Sequence, residues 1–170
     1  RLVGERLPNI GIDIIFFDAE DYGQPYFYEG PENEDSWALG TQYWAARPHR
    51  PGYRARYGIL LDMVGGKDAI FAREGFSQRY ASGVNDKVWS AAQRLGYGKY
   101  FVNTEGGYIT DDHVYVNRMG IPSIDIIQYD PNTETGFCKQ WHTLDDTMDF
   151  IHKETLKAVG QTVLEIIYNE

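Results

Sequence analysis

Ile10 to Phe17 reads IGIDIIFF, and Asp18-Ala19-Glu20-Asp21 closes it with three acids. The run is short, rich in β-branched residues and almost continuously apolar. That pattern predicts a strand buried on both faces, as in a parallel sheet. Two further runs of the same kind lie downstream: Tyr57–Met63 (YGILLDM), closed by Gly65-Gly66, and Ser123–Ile127 (SIDII), opened by Pro122. Ala69–Phe71 reads as a short edge strand.

Helical signals fall between the strands. Ser36 is a candidate cap for a helix through Trp37, Leu39, Tyr43 and Trp44. Ser77–Ala81 reads as helical, and Asn85 or Asp86 as the cap of a separate helix through Val88, Ala91, Ala92 and Leu95, stopped by Gly96. Asp111 or Asp112 is placed to cap a short helix over Val114–Met119 that ends at Gly120. Phe150, Ile151, Leu156, Val159, Val163, Ile166 and Ile167 recur at steps that predict a terminal amphipathic helix. Asp145, Asp146 and Asp149 are expected at its start, where the helix dipole favours carboxylates. Strands alternating with helices predict an α/β domain with a mostly parallel sheet. The 170 residues fit one domain.

Composition narrows the function. A net charge of −9 argues against nucleic acid or an anionic membrane as the main partner. The one basic stretch, Arg47, His49, Arg50, Arg54 and Arg56 around Pro48 and Pro51, reads as a solvated loop. A single cysteine, Cys138, permits no intrachain disulfide. No apolar run is long enough to span a membrane.

Ligands of open α/β sheets bind beyond the carboxyl ends of the strands, and the acids gather there. Glu20 and Asp21 follow the first predicted strand. Asp62 ends the second, Asp111 and Asp112 lead into the third, and His142 lies on the loop after it. A catalytic zinc takes three protein ligands and keeps a position open. An adjacent carboxylate off the metal can then serve as general base. Glu20-Asp21 offers one acid for each role. Asp62 and Asp111 are candidates to hydrogen-bond the base or the substrate. Asp21 and His142 make only two ligands; Asp62 or a residue ahead of Arg1 would supply the third. Asp112, Asp145 and Asp146 read as helix caps, and His49, His113 and His152 as hydrogen-bonded surface groups.

Four motifs in order, FFDAED (residues 16–21), LLDMVG (60–65), DDH (111–113) and WHTLDDT (141–147), resemble the zinc aminopeptidase superfamily. Within it they are most similar to the mammalian-type glutaminyl cyclases and their bacterial relatives. The resemblance implies a three-layer α/β/α fold with a mixed, mostly parallel central sheet. It implies that these 170 residues are the C-terminal portion of a single catalytic domain, whose absent N-terminal segment carries a further metal ligand. Glu20 matches the general acid/base, Asp21 the acidic metal ligand (usually Glu) and His142 the histidine ligand. Asp62 and Asp111 match acids hydrogen-bonded to the base. Trp141 matches a pocket tryptophan, Phe137 a pocket aromatic, and Trp37 would help to wall the pocket. Asp125 stands where the mammalian enzymes have a histidine behind the metal.

The implied activity is zinc-dependent cyclisation of N-terminal glutaminyl peptides to pyroglutamyl peptides with release of ammonia. The partners are then peptides or proteins with N-terminal Gln, and the location periplasmic or secreted, with an anchor in the missing N-terminus as a variant. The alternative is a zinc aminopeptidase, in which a second zinc would sit on Asp62. One zinc is expected for the cyclase. Trp141 directly before His142 favours the cyclase.

Overall fold

The computed structural model describes residues 7–24, 27–31 and 33–170. Four strands form: Gly58–Asp62 (β1), Phe71–Arg73 (β2), Phe101–Glu105 (β3) and Ser123–Ile127 (β4). Four helices accompany them: Leu39–Ala46 (α1), Gly75–Arg94 (α2), Asp112–Arg118 (α3) and Lys153–Tyr168 (α4). β1 pairs parallel with β4, and β2 pairs parallel with β3. An isolated antiparallel bridge links Phe71 to Gln128 between the two parallel pairs.

β4 is buried along its whole length, and its alternation assigns the layers. Ile124 and Ile126 enter a core with Val88, Trp89, Ala91 and Ala92 of α2 and Ala158, Val159 and Ile166 of α4. Ser123 and Asp125 take the other face, where Asn117 of α3 bonds both the N–H and the carbonyl of Ser123. Phe71, Trp89 and Phe101 are the large rings of the core, all fully buried. The Trp89 indole spends its polar N–H on the Val102 carbonyl at 2.9 Å, which lets the ring enter the core without an orphan donor.

Several expectations change. Residues 10–17 run extended, yet they join no ladder among the described residues. Their apolar side chains stand open, with Ile14 78% and Phe16 92% exposed. A strand exists only with a neighbour to take its backbone hydrogen bonds, so the apolar pattern alone does not make this segment one. Ser36 does not cap α1; its hydroxyl donates to the Asn33 carbonyl, and α1 begins three residues later at Leu39. The two helical segments expected around residues 77–95 form and run on as α2 across a break at Ala81 (φ −143°, ψ 37°), with the Glu74 carboxylate capping the first. Asn85 is therefore interior and fully buried rather than a cap. The expected short strand at 69–71 forms at Phe71–Arg73 (β2), where β3, a strand without a clear apolar run, pairs with it. α4 starts at Lys153, so Asp145, Asp146 and Asp149 precede it, and Leu156 is 43% exposed. By contrast β1, β4 and the Asp111-capped α3 stand where the pattern puts them.

Candidate active site

The acidic pair is held by backbone. α1 has no side-chain cap, and the N–H groups at its start need acceptors. The N–H groups of Ala38, Leu39 and Gly40 donate to the carbonyls of Glu20, Ala19 and Asp18 at 2.9, 3.1 and 3.1 Å. The turn Glu20–Tyr22 is thereby fastened to the head of α1. Ala19 enters it with φ 51°. Gly40 is required for the approach, since a Cβ there would lie 2.3 Å from the Asp18 carbonyl oxygen. Gly23 leaves the turn with φ 49° and lies under the Trp37 ring, which a Cβ would meet at 2.5 Å.

Asp62 is the last residue of β1, and the next residue, Met63, has φ 47°. The Met63 N–H donates to the Asp62 carboxyl. Asp111 caps α3 and accepts from the Asp112 N–H. Asp112, as expected, is structural: its buried carboxylate takes the Thr41 hydroxyl of α1. The loop after β4 brings the remaining groups. Phe137 and Trp141 rings meet at 4.8 Å, and Trp141 stacks on His142 at 3.8 Å with 16° between the planes. His142 has φ 55° and places its Nε2 3.0 Å from Asp21 Oδ1. Left-handed backbone at Ala19, Met63 and His142 brackets the acids, and such strain concentrates at functional sites.

Glu20, Asp21, Trp37, Asp62, Asp111, Phe137 and Trp141 all line one cleft of about 500 Å³. His142 reaches it through Asp21. Every site residue expected from sequence therefore converges. Tyr108 and Tyr129 also line the cleft and were not anticipated; Tyr129 follows β4 by two residues, the strand-end position that could have pointed to it.

The cleft is crowded with like charge. Burial, then Asp111, Asp21 and Asp62, push the Glu20 carboxyl up to about 9. Burial, then Asp62, push Asp111 up to about 7. Burial also raises Asp62, partly offset by the Met63 N–H. A cluster that resists ionising this strongly suits a cation. Asp21 and His142 fit zinc in donor type, one oxygen and one imidazole nitrogen. Two ligands of a tetrahedral zinc stand about 3.3 Å apart, so their 3.0 Å separation is already near ligand spacing. No group of three metal-ligating side chains is assembled among the described residues.

His113 overturns its expectation as a surface group. It is 1% exposed, and its Nε2 meets Glu74 Oε2 at 2.9 Å. His49, by contrast, is exposed and stacks on Trp44.

The family model for peptidase family M28 matches residues 1–167. A glutaminyl cyclase of Bacteroides thetaiotaomicron, solved with N-acetylhistamine, is 60% identical with a TM-score of 0.92, over 96% of this chain and 56% of that one. A Zn-dependent exopeptidase of Parabacteroides distasonis is 63% identical with a TM-score of 0.93, over 96% and 56%. The glutaminyl-peptide cyclotransferase of Bos taurus is 25% identical over 99% of this chain and 48% of its own length. The chain thus spans about half the length of these relatives.

Proposed function

The chain belongs to peptidase family M28, and on that premise we propose that a protein containing it is a zinc-dependent glutaminyl-peptide cyclotransferase. The observation that carries this reading is the aromatic wall of Phe137 and Trp141 stacked onto His142, beside the Glu20–Asp21 turn. A wall of that kind encloses a small side chain and keeps water out, which ring closure needs and hydrolysis does not.

Asp21 and His142 would hold the zinc. The third protein ligand comes from Asp62 or from a segment outside these 170 residues. The chemistry that a bound zinc supplies there is polarisation of the glutamine amide carbonyl and stabilisation of the charge that develops on its oxygen. Glu20 takes a proton from the α-amine as that nitrogen bonds to the side-chain amide carbon. The carbon–NH2 bond then breaks, and Glu20 returns the proton to the departing nitrogen, which leaves as ammonia. Burial, then Asp111, Asp21 and Asp62, raise the proton affinity of Glu20, which serves its role as acid in the second half. Trp37, Phe137 and Trp141 position the glutamine side chain.

The second reading is a zinc aminopeptidase, favoured by the likeness to a Zn-dependent exopeptidase. There Glu20 would activate water. Incubation of the active protein with an N-terminal Gln peptide and with a Leu amide separates the two. Ammonia from the Gln peptide with the Leu amide intact is expected. Cleavage of the Leu amide with no ammonia from the Gln peptide would overturn the cyclase. One zinc per active site is expected by metal analysis. A periplasmic or secreted location accompanies this reading. No helix of the described residues is long and apolar enough to cross a membrane.

A further inference from the structure

The cleft holds more than the reaction above uses. Its volume of about 500 Å³ is in the range that takes a drug-sized ligand, and one glutamine side chain leaves part of it unfilled. Much of the remaining wall is aromatic, and its contacts put it in order. The His142 ring stacks on Trp141, and Trp141 meets Phe137. Gly136, next along the chain, lies under the Tyr129 ring, which a Cβ there would meet at 3.1 Å. A Cβ on Gly107 would reach the same ring at 3.5 Å, and Tyr108 follows Gly107. His142, a candidate zinc ligand, is thus the first member of this series and Tyr108 the last.

Tyr108 is 67% exposed, yet the backbone around it is fixed. The Gly106 N–H donates to the Arg73 carbonyl at 2.8 Å, and the Gly75 N–H donates to the Gly107 carbonyl at 2.9 Å. The Ile109 N–H donates to Glu74 Oε1 at 3.0 Å. These bonds tie residues 106–109 to the end of β2 and the head of α2. The ring is held too. It lies across Gly75, where a Cβ would come within 2.8 Å of the ring carbons, so the approach requires glycine. It also meets the Phe76 ring at 5.0 Å and 77°, and Phe76 is itself packed against Ala38, Val114 and Tyr115. One flank of Tyr108 is therefore spent on α2, and the rest faces the cleft and solvent.

A single exposed aromatic needs no explanation. An aromatic held on fixed backbone at the edge of a cleft is different, because it offers a large contact surface with little conformational entropy left to lose. We propose that Tyr108 is a specificity-determining residue, whose ring receives the side chain that follows the N-terminal residue of the substrate and selects an aromatic or branched aliphatic one. The inference rests on the cyclase reading, which seats the N-terminal glutamine beside Trp141 and Phe137. Apolar chemistry suits this stretch of wall, where Ile109, Tyr129 and Pro131 also line the cleft. A glycine at that substrate position leaves the Tyr108 ring wet. An acidic side chain finds no counter-charge, because no Lys or Arg lines the cleft among the described residues.

The test compares the full-length, zinc-loaded protein with its Tyr108→Ala and Tyr108→Phe variants on the dipeptide amides Gln-Phe and Gln-Gly, with ammonia as the readout. The wild type is expected to favour Gln-Phe in kcat/KM by about 2- to 10-fold, the worth of one aromatic pair, mainly through KM. Tyr108→Phe should keep that ratio, and Tyr108→Ala should bring it close to one. An equal ratio in the wild type and Tyr108→Ala, or no preference in the wild type, would overturn the inference. The amides Leu-Phe and Leu-Gly, run alongside, keep the two readings apart. Cleavage of the Leu amides with no ammonia from the Gln amides would sink the cyclase reading alone, and the Leu pair would then give the ratio that decides on Tyr108. If neither pair turns over, the calorimetric Kd values of the same amides give that ratio.

Discussion

Glu20 shares its cleft with Asp21, Asp62 and Asp111, and its carboxyl holds a proton up to about 9 where the ordinary value is 4.5. The sign of the consequence follows from which state binds more protons. Between those two values the folded chain keeps a proton that the unfolded chain has released, so stability falls as pH rises through that window. Asp111, pushed up to about 7, adds to the same slope at its lower end. The melting temperature of metal-free protein is therefore expected to drop from mildly acidic to mildly alkaline pH. Glu20→Gln should flatten the drop. A melting temperature that rises over this range would contradict the crowding. In catalysis the same substitution removes the proton carrier and leaves Asp21 and His142 untouched. Turnover is expected to fall by about 10²–10⁴-fold while zinc stays bound by metal analysis. A Glu20→Gln protein that loses its zinc would make Glu20 a ligand and Asp21 the base.

At the scale of elements, the burial of α4 depends on contacts that its periodicity does not distinguish. Leu156 and Ile166 share the apolar repeat, yet Leu156 is 43% exposed and Ile166 4%. Ile166 enters the core with α2 and β4. Ile166→Ala is expected to cost about 2–5 kcal/mol, as deletions in a filled core do. Leu156→Ala should cost roughly 1 kcal/mol or less, because most of its area stays wet. Chemical denaturation of the two variants checks the order, and an equal loss would place Leu156 in the core after all. α2 makes a related point. Glu74 at its N-terminus accepts two helix N–H groups and the His113 imidazole together, so one carboxylate both starts the helix and stands behind the cleft.

Over the whole molecule, the outstanding feature is the extended segment 10–17. Ile12, Ile14 and Phe16 are 48%, 78% and 92% exposed. An apolar, extended segment whose backbone groups lie in no ladder is a template for pairing. On its own the 170-residue chain is expected to self-associate with rising concentration, and Ile14→Lys with Phe16→Lys to reduce that. Sedimentation velocity reads both. A chain that stays monomeric at every concentration would show that the segment is protected in some other way.

What was legible in the sequence was local. β1 and β4 were readable as short, mostly apolar runs, although only β4 is buried at every position and Leu61 of β1 is 46% exposed. The acids were readable because strand ends in such sheets are where polar side chains converge. The closed end of α3 was visible in Asp111 and Gly120. The tertiary structure decided whatever depends on a partner far along the chain. It set the break in α2 at Ala81 and buried Asn85 inside the second helical segment. It supplied β3, which carries no apolar run and forms because β2 needs a neighbour. It buried His113 against Glu74, 39 residues away. Among the described residues it left 10–17 without a ladder. Hydrogen bonds and burial are properties of pairs, and a pattern in one segment specifies only one member of each.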